Sequence, residues 1–338
     1  MTTFKEIRGQ LIRSVSSDPA NPQQGQIWYN NTIGVLKGYE FTVSAMSSGG
    51  NLPLVIGNNS DAGSGTVTAG LGYGGYVANP PSPGSTKSAT YEYDGSSWTT
   101  GGSMNVDKAL SAGAGTQTAA INFSGVQGQG AGSTEPFTKI NSTEEYNGTS
   151  WATQTGTPSP QSRISGSGTQ TAALQCGGTP EIVDTYEYNG SAWTAGGNLS
   201  TGRQGGSAFG TQTATLLAGG YTTAATDVVE SYNGTSWTSS PNLAYSSYAG
   251  GSGGDDTSAV LFVGRGPGPS SQGKTQEWDG SAWADGVATL GTNRNELLGA
   301  CGTGTSAMLF GGFLGPTMFN ATEEFERGFN SAKTLTTS

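Results

Sequence analysis

A hairpin-like motif recurs through the chain and restricts its fold more than any other feature of the sequence. Five copies combine an aromatic residue, an Asn-Gly or Asp-Gly pair and a tryptophan: YEYDGSSW from Tyr91, EEYNGTSW from Glu144, YEYNGSAW from Tyr186, ESYNGTSW from Glu230 and QEWDGSAW from Gln276. A sixth copy, EEFERGFN, begins at Glu323. The turn glycines Gly95, Gly148, Gly190, Gly234, Gly280 and Gly328 are 53, 42, 44, 46 and 48 residues apart. Such a period is typical of propellers and solenoids.

Each copy predicts a β-hairpin. Asn-Gly and Asp-Gly supply the positive φ angles of a tight primed turn, which reverses the chain between two strands. An aromatic residue before the turn, such as Tyr188, and a tryptophan after it, such as Trp193, place two large rings on the faces of the sheet. These rings are interpreted as core residues rather than as a ligand cage.

A second repeated segment precedes each hairpin. It passes from small residues through a Thr-rich turn into an apolar strand, and its copies end at Gly75, Gly125, Gly178, Gly220, Gly264 and Gly312. The two segments together predict six four-stranded antiparallel units and essentially no helix over residues 49–338. The order of Gly-Gly strand, aromatic strand and Trp strand resembles the kelch repeat, which implies an all-β, six-bladed, kelch-like β-propeller. Seven blades are the alternative, if Trp28–Leu36 forms a partial blade.

The outer strands of these units number seven candidates, five of them after the Trp-bearing hairpins. The other two are Leu36–Val43 and Ser331–Thr337. We expect one chain terminus to pair against the other so that no edge strand stays open. Leu36–Val43 is predicted to complete a blade, because the GGNL at Gly49 matches the GGNL at Gly196, where an outer strand has just ended.

Composition places the repeats in one domain behind an N-terminal extension. The 338 residues include 57 glycines and are only 33% hydrophobic, but the apolar residues keep register with the period, which favours short strands over a disordered chain. The predicted domains are an N-terminal docking arm, residues 1–46, and a propeller, residues 47–338.

Charge and cysteine usage exclude several classes of partner. A net charge of −10 with only 14 Lys and Arg is unlike a nucleic-acid-binding surface. The sequence shows neither a signal peptide nor a membrane-spanning run, so we expect no membrane insertion and synthesis in the cytoplasm of a host. Cys176 and Cys301 lie in opposite blades by this count, and they are predicted to be small core residues that are not bonded to each other.

Enzyme activity is not expected, nor is a cofactor, a metal ion or a catalytic residue. The chain contains no histidine, which excludes the ligands of a kelch-type copper oxidase, histidine-bound zinc or haem, and Ser/His or Cys/His triads. One glutamate precedes each turn except in the fourth copy, which has Ser231; the others are Glu92, Glu145, Glu187, Glu277 and Glu324. One carboxylate per repeat indicates a structural ladder, since an active site needs an asymmetric group of residues.

Four basic residues, Lys108, Arg163, Arg203 and Arg294, recur near the start of the first strand of a unit. Pairing with carboxylates or carbonyl groups is the expected role. The alternative is a charged ring lining the central channel.

Unequal loops point to a contact surface. Between the Gly-Gly and aromatic strands, the first two units carry YVANPPSPGSTKS and GQGAGSTEPFTKINS, whereas the third carries only TPEIVD. Long loops confined to two adjacent blades are typical of binding surfaces. The candidate contact residues are Tyr76, Pro80, Pro81, Pro83, Pro136 and Phe137.

The leader differs from the repeats in both pattern and resemblance. FKEIRG, DPANP and GQIWYN within the first 40 residues resemble the N-terminal segment of virion proteins from marine bacteriophages, where similar leaders precede different repeat domains. QIWYNNTIGVLKGYEF from Gln26 predicts a hairpin that turns around Asn30–Gly34. Apolar residues of the leader are candidates for packing on another virion chain: Phe4, Ile7, Leu11, Trp28 and Tyr29.

The resemblance implies a structural component of a bacteriophage virion that is associated with the tail. It would dock through its arm onto tail or capsid proteins, in multiple copies within a symmetric assembly. The alternatives are a receptor-binding module that recognises host-surface glycan or protein, a capsid decoration protein, and a cellular kelch-like scaffold, which would leave the leader unexplained.

Overall fold

The computed structural model of this chain is built from β-strands. It describes residues 12–20, 26–57, 63–79, 82–130, 137–262, 264–266, 273–294, 297, 299–314, 317–328 and 330–334. Within these residues there is no helix. Two compact units divide the chain: a terminal unit, Met1–Ser44 with Arg327–Ser338, and a repeat unit, Ala45–Glu326. The predicted boundary between residues 46 and 47 stays a prediction.

The repeat unit contains six four-stranded antiparallel sheets in the described part of the chain. Sheet 1 consists of Gly63–Thr66, Ala69–Tyr73, Thr90–Tyr93 and Trp98–Thr100. Sheet 2 consists of Ala112–Thr116, Ala119–Phe123, Thr143–Tyr146 and Trp151–Gln154. Sheet 3 consists of Ser165–Thr169, Ala172–Cys176, Thr185–Tyr188 and Trp193–Ala195.

The other three sheets have the same strand order. In each of the six sheets the first strand pairs with the second, the second with the third and the third with the fourth. Sheet 4 consists of Ser207–Thr211, Ala214–Ala218, Val229–Tyr232 and Trp237–Ser240. Sheet 5 consists of Gly251–Gly254, Ala259–Phe262, Lys274–Trp278 and Trp283–Thr289. Sheet 6 consists of Gly299–Gly302, Ser306–Phe310, Thr322–Glu326 and, from the other end of the chain, Ala45–Ser48.

The hairpin turns differ from the primed turns predicted from the sequence. In the third copy the positive φ angle is confined to Gly190, at 89°. The side-chain oxygen of Asn189 accepts hydrogen bonds from the backbone N–H groups of Ser191 at 3.1 Å and Ala192 at 3.0 Å. A four-residue loop capped by an Asx side chain therefore connects the strands, and the prediction of a tight primed turn was wrong.

The strand that completes sheet 6 also differs from the prediction. Met46 pairs opposite Phe325, so the chain enters the sheet through Ala45–Ser48 and not through Leu36–Val43. The two predicted outer strands instead pair with each other in the terminal unit, where Val35–Phe41 runs antiparallel to Asn330–Thr334. Local pattern did not separate these strands, because their partners are far away in sequence.

The terminal unit contains a seventh four-stranded sheet. Its strands are Arg13–Val15, Ile27–Asn30, Val35–Phe41 and Asn330–Thr334. The hairpin predicted around Asn30–Gly34 is confirmed, with Trp28 opposite Lys37. Trp28 is fully buried, and its Nε1–H donates to Asp18 at 3.1 Å.

One carboxylate organises this sheet. Asp18 accepts hydrogen bonds from Lys37 at 2.6 Å, Asn30 at 2.9 Å and Trp28. These bonds, Lys37 first, lower the pKa of Asp18 to about 2. Asp18, the first residue of the DPANP segment, thus supplies the acceptor that fixes the hairpin.

Neighbouring sheets of the repeat unit share one pattern of side-chain bonds. The tryptophan that opens a fourth strand donates its indole N–H to a threonine in the third strand of the preceding sheet: Trp98 to Thr322 at 2.8 Å, Trp151 to Thr90 at 2.8 Å, Trp193 to Thr143 at 3.0 Å and Trp237 to Thr185 at 2.9 Å. The tyrosine that ends a third strand donates its hydroxyl to a glutamate of the preceding sheet: Tyr93 to Glu324, Tyr146 to Glu92, Tyr188 to Glu145 and Tyr232 to Glu187. These glutamates are structural, as predicted.

The core lies between the sheets. Ring centroids of Tyr188 and Trp193 are 5.0 Å apart, and this pair belongs to a buried cluster with Phe123 and Ile121 of sheet 2. Cys176 and Cys301 are buried in two different clusters and form no disulfide, as predicted. Burial raises the pKa of the Cys301 thiol to about 12.

The first strands of all six sheets border one cavity of about 120 Å³. Its lining residues are small, apart from Phe209. Small residues let strands approach one another closely. An all-β chain of four-stranded antiparallel sheets that meet in this way is consistent with a β-propeller-like fold.

Candidate binding face

The loops that follow the second strands share one end of the sheets, which we call the loop face. The long loops of sheets 1 and 2 lie there and pair with each other: Gln129–Gly130 of sheet 2 runs antiparallel to Ser82–Thr86 of sheet 1, which pairs in turn with Tyr76–Asn79. A second small pair joins Val126–Gln127 to Thr138–Lys139, and Phe313–Leu314 joins Thr317–Met318. The long loops are therefore joined by backbone hydrogen bonds across two repeats.

Asp107 fastens these two loops. Its carboxylate accepts a hydrogen bond from Thr86 of the first loop at 2.5 Å and another from Gln127 of the second at 2.8 Å. A charged acceptor forms stronger hydrogen bonds than a neutral one. One side chain thus holds both loops in register.

Two of the predicted loop contact residues meet within this structure. The rings of Tyr76 and Phe137 lie 5.7 Å apart, edge to face. Tyr76 is buried in a cluster with Ala109, Leu110 and Val126, so most of its surface is engaged within the chain. Pro83 lies in a loop strand, while Pro80, Pro81 and Pro136 lie outside the described residues. Their role in binding stays a prediction.

Three of the four basic residues form the predicted pairs with carboxylates. The bonds are Lys108 to Glu144 at 3.3 Å, Arg203 to Glu230 at 2.6 Å and Arg294 to Glu323 at 2.6 Å, all buried. Burial lowers the pKa of Lys108 to about 8, and the charge of Glu144 partly offsets that shift. The residues bordering the central cavity include none of these cations, so they form no charged ring there.

Arg163 behaves differently from these three. Counted from the glycine near the end of the first strand, Arg163 stands five residues before Gly168, whereas Arg203 stands seven before Gly210. The equivalent of Arg203 in sheet 3 is Gln161. Grouping Arg163 with the paired cations was therefore wrong, because its side chain forms no hydrogen bond or ion pair with a carboxylate or carbonyl group of the described residues.

Arg163 belongs to a string of equivalent residues in successive sheets, all of which have a left-handed backbone conformation. Leu110, Arg163, Gly205 and Ala249 have φ angles of 53°, 52°, 60° and 54°. Each backbone N–H bonds the carbonyl of the residue before it in this string: Arg163 to Leu110 at 2.9 Å, Gly205 to Arg163 at 2.8 Å and Ala249 to Gly205 at 2.8 Å. The positive φ is thus part of the link between successive sheets, and only the side chain differs from one sheet to the next.

A cleft opens beside Arg163 because the next two residues of the string are Gly205 and Ala249. Its volume is about 250 Å³, and its lining comes from sheets 3, 4 and 5: Arg163, Gln204, Gly205, Tyr221, Tyr248 and Arg265. In sheets 2 and 3 the same string carries Leu110 and Arg163. Side chains as large as those would fill this space.

Backbone bridges hold the walls of the cleft. Gln204 pairs with Tyr221, and Tyr248 pairs with Arg265, each through two N–H to carbonyl bonds. The rings of Tyr221 and Tyr248 lie 5.2 Å apart. Arg265 donates to the Tyr248 hydroxyl at 3.1 Å and lies over the Tyr248 ring. The walls are thus fixed before any ligand arrives.

The sequence contained a signal for this cleft. The residues after the Gly-Gly of sheet 4 begin with Tyr221, and Arg265 takes the corresponding place in sheet 5, where sheet 2 has Val126. Loop length alone indicated a contact surface on sheets 1 and 2. Aligned on these glycines, the six sheets have Tyr76, Val126, Thr179, Tyr221, Arg265 and Phe313 at this place, so only sheet 5 carries a cation there.

The leader candidates divide between buried and exposed residues. Phe4, Ile7 and Leu11 lie outside the described residues. Trp28 is fully buried, which withdraws its ring from any partner surface, whereas Tyr29 is 40% exposed. Tyr29 shares the terminal unit with three other exposed apolar side chains: Ile12, Ile33 and Val43.

The described strands form an all-β structure that is consistent with a β-propeller-like fold. Neither protein-family models nor curated proteins show a match to it. Across the described residues, no three His, Cys, Asp or Glu side chains lie close enough to hold a metal ion. The same residues form no helix long and apolar enough to cross a membrane.

Proposed function

We propose that the repeat unit is a closed, six-bladed, kelch-like β-propeller. The contacts of sheet 1 with sheet 6 support this, because Tyr93 donates to Glu324 at 2.6 Å and Trp98 donates to Thr322 at 2.8 Å. The same two bonds join sheets 2 to 1, 3 to 2 and 4 to 3. A repeated interface between the last and the first sheet is what ring closure requires. Seven blades are disfavoured, since Ile27–Asn30 and Val35–Phe41 pair in the terminal unit.

We propose further that the chain is a structural component of a bacteriophage virion, associated with the tail, which docks through its terminal unit and displays the propeller. The supporting observation is that both ends of the chain form one compact unit with Ile12, Tyr29, Ile33 and Val43 exposed. Exposed apolar residues grouped on a small unit are typical of interaction sites. The resemblance of the leader to phage virion proteins names the partner: other tail or capsid proteins.

Such a protein is non-enzymatic, takes no cofactor, binds no nucleic acid and is not inserted in a membrane. It is present in multiple copies on the particle. A capsid decoration protein would use the same terminal unit on a different neighbour. A cellular scaffold would not be found in purified particles at all.

The docking proposal is tested by point variants rather than by truncation. Removing residues 1–44 would leave Asn330–Thr334 without its partner strand, so a loss of docking would have two explanations. Tyr29→Ser combined with Ile33→Ser removes two exposed apolar side chains from the terminal unit. If these are interface anchors, particle association weakens by on the order of 2 kcal/mol, measured as copies per purified particle.

Val287→Ser is the matched control, because Val287 is exposed in sheet 5 of the repeat unit. Wild-type occupancy of this control with depleted occupancy of the double variant supports docking by the terminal unit. Equal occupancy of both variants would overturn it. Comparing tail preparations with empty capsids separates the tail proposal from the capsid alternative.

Receptor binding is a second candidate, which the cleft beside Arg163 favours. A preformed cleft with converging polar groups and aromatic walls is the usual form of a ligand site. This cleft belongs to the displayed repeat unit. Binding of the purified protein to host cells is the direct test.

A further inference from the structure

Three hairpin turns of the repeat unit carry an exposed asparagine that is followed directly by glycine: Asn147, Asn189 and Asn233. The glycines after them have φ angles of 87°, 89° and 87°. Because glycine has no Cβ, its backbone nitrogen can approach the side-chain amide of the preceding residue with little hindrance. Attack of that nitrogen on the amide carbon is the first step of asparagine deamidation.

Each of these turns surrounds the side-chain oxygen of its asparagine with two backbone N–H groups. The Oδ1 atom of Asn147 accepts hydrogen bonds from Thr149 at 3.0 Å and Ser150 at 2.9 Å. The turns of Asn189 and Asn233 repeat both bonds at 2.9–3.1 Å. When a nucleophile adds to the amide carbon, negative charge develops on this oxygen, and preorganised N–H donors stabilise such a charge. Each turn therefore provides electrostatic assistance for the reaction of its own asparagine.

The fold already holds the product of this reaction at two other turns. Asp94 and Asp279 take the place of the asparagine in sheets 1 and 5. Asp94 accepts the equivalent backbone bonds from Ser96 and Ser97, both at 2.8 Å. Hydrogen bonds to these two serines, the backbone N–H of Ser97 first, lower the pKa of Asp94 to about 2. An aspartate formed at one of the other three turns would meet the same pair of donors.

We propose that Asn147, Asn189 and Asn233 are deamidation sites, at which the folded turn converts its own asparagine mainly to aspartate. The proposal depends neither on docking by the terminal unit nor on the cleft beside Arg163. It concerns the ends of three hairpins that have the same backbone geometry.

The reaction consumes only water. The backbone nitrogen of the glycine gives up its proton and bonds to Cγ of the asparagine, and the side-chain nitrogen takes up a proton and leaves as ammonia. A cyclic imide results. Water then adds to one imide carbonyl group and breaks its bond to the glycine nitrogen. Addition at Cγ gives aspartate, whereas addition at the main-chain carbon gives isoaspartate, and no atom is oxidised or reduced.

The turn favours the first of these two products. Its N–H donors face Oδ1, so they stabilise the charge that develops when water adds at Cγ. Isoaspartate would also lengthen the backbone by a CH₂ group within a short loop whose ends are fixed by strand pairing, as Tyr188 is opposite Trp193 in sheet 3. An unfolded chain lacks both restraints. Aspartate should therefore form a larger share of the product in the folded chain than in the unfolded chain.

Conversion changes the charge at one end of the repeat unit. The turn at Gly190 lies against Thr171, in the turn between the first and second strands of sheet 3, which is the end opposite the loop face. The net charge of the chain is −10, and each conversion adds one more negative charge. Native ion-exchange chromatography should resolve the converted forms as successive steps of charge.

Peptide mapping by mass spectrometry tests the proposal after the full-length chain is incubated in mildly alkaline buffer below its melting temperature. Asn198 and Asn242 are the internal controls, because both are exposed asparagines that are followed by leucine. The leucine side chain hinders the backbone nitrogen. Each of the three turn asparagines should therefore convert about tenfold faster, or more, than either control.

Asn189→Asp supplies the product at one turn. The turn of sheet 5, from Asp279 to Trp283, differs from the turn of sheet 3 only in this residue, and Asp279 forms both backbone bonds at 2.8 Å. The variant should therefore have the melting temperature of the wild type. Asn189→Ala is the matched comparison, because it leaves the two N–H groups without their acceptor, and it should melt at a lower temperature.

The same chain unfolded in guanidinium chloride separates the effect of the fold from that of the Asn-Gly sequence. The ratio of aspartate to isoaspartate at the three turns should be about threefold higher, or more, in the folded chain. An equal ratio in the two states would contradict the role of the N–H donors. Absence of conversion in the folded chain while the unfolded chain converts, or conversion no faster than at Asn198, would overturn the deamidation sites. A fall in melting temperature for Asn189→Asp as large as that for Asn189→Ala would show that the fold does not accept the product.

Discussion

Sheets 4 and 5 are built on the same repeat, yet they are fastened to their neighbours differently. In sheet 4, Trp237 donates to Thr185 and Tyr232 donates to Glu187 of sheet 3. At the places of Trp237 and Tyr232, sheet 5 has Trp283 and Trp278. At the places of the acceptors Thr185 and Glu187, sheet 4 has Val229 and Ser231. The indole N–H of Trp283 is buried without a hydrogen-bond partner.

The difference shows which substitutions occur in matched pairs. Where tyrosine becomes Trp278, the opposing glutamate becomes Ser231, and no carboxylate is stranded; the Trp278 N–H donates instead to the Asp256 carbonyl at 2.8 Å. Where the buried glutamate becomes Gln276, the arginine becomes Ser247, and Gln276 still bonds the backbone of Tyr245. Only the change from threonine to Val229 has no matching change, because its partner is still a tryptophan, Trp283. The repeat tolerates altered contacts when both partners change together.

The largest effect is expected from unbalancing the ion pair of sheet 4. Glu230→Gln places the sheet 5 residue opposite Arg203 and leaves a fully buried guanidinium without a carboxylate. Breaking one side of a buried pair costs about 3–5 kcal/mol. Denaturant unfolding followed by tryptophan fluorescence measures the loss, and adding Arg203→Met should recover most of it.

The exposed pair of sheet 5 is the control for this variant. Lys274 and Asp285 lie 3.4 Å apart with both side chains substantially exposed, so Asp285→Asn should cost at most about 1 kcal/mol. A Glu230→Gln variant no less stable than Asp285→Asn would show that Arg203 finds another partner.

The next effect concerns the threonine acceptor of sheet 3. Thr185→Val copies the residue that sheet 4 has at this place and removes the acceptor of Trp237. A buried donor left without a partner costs about 1–3 kcal/mol. Thr238→Val, at an exposed position of the neighbouring sheet 4, should change the free energy of unfolding by less than about 0.5 kcal/mol. Equal effects of the two variants would contradict the account.

Most of the repeat unit could be predicted from the sequence, because a short-range residue pattern defines its strands. The Asn-Gly and Asp-Gly turns located the hairpins, and the Tyr and Trp spacing identified the core, since both depend on residues within one hairpin. The Lys108 and Arg203 ion pairs were also predictable, as a buried cation needs a carboxylate. Turn type was not, because the Asn189 side chain competes with the backbone for hydrogen bonds.

Features that depend on residues far apart in the sequence could not be predicted from it. Ala45–Ser48 carries a single large apolar residue, Met46, and its strand character comes from pairing with Thr322–Glu326. Arg163 resembles the other basic residues in sequence, but it stands five residues before Gly168, whereas Arg203 stands seven before Gly210. The cleft beside it is formed by three sheets together, so no single repeat encodes it.

A smaller gain is expected from repairing the one unmatched position. Val229 is fully buried in the same cluster as Trp283, so Val229→Thr places a hydroxyl where Thr185 serves Trp237. The new hydrogen bond should raise the free energy of unfolding by about 1 kcal/mol, measured by denaturant titration. A loss of stability would mean that the hydroxyl faces away from Trp283 and is itself buried without a partner.

The smallest effect of a single residue is expected in the alkaline pH dependence of the tyrosine bonds. Burial, reinforced by a glutamate partner, raises the pKa of Tyr93, Tyr146 and Tyr232 to about 12. In the unfolded chain these hydroxyls ionise near pH 10. Between about pH 10 and pH 12 the folded state therefore holds more protons than the unfolded state, and the free energy of unfolding falls as pH rises.

Tyr232→Phe tests how much one tyrosine–glutamate bond contributes to the decrease in the free energy of unfolding between about pH 10 and pH 12. Unfolding midpoints measured across this window should decline less steeply for the variant, because one of the titrating hydroxyls is gone, while Trp278→Phe in sheet 5 should leave the slope unchanged, since neither residue titrates. Lys108 does not obscure the result: its pKa is lowered from 10.5 to about 8, so above about pH 10.5 it is mostly neutral in both states. Parallel slopes for Tyr232→Phe and the wild type would show that the tyrosine–glutamate bonds do not govern alkaline unfolding.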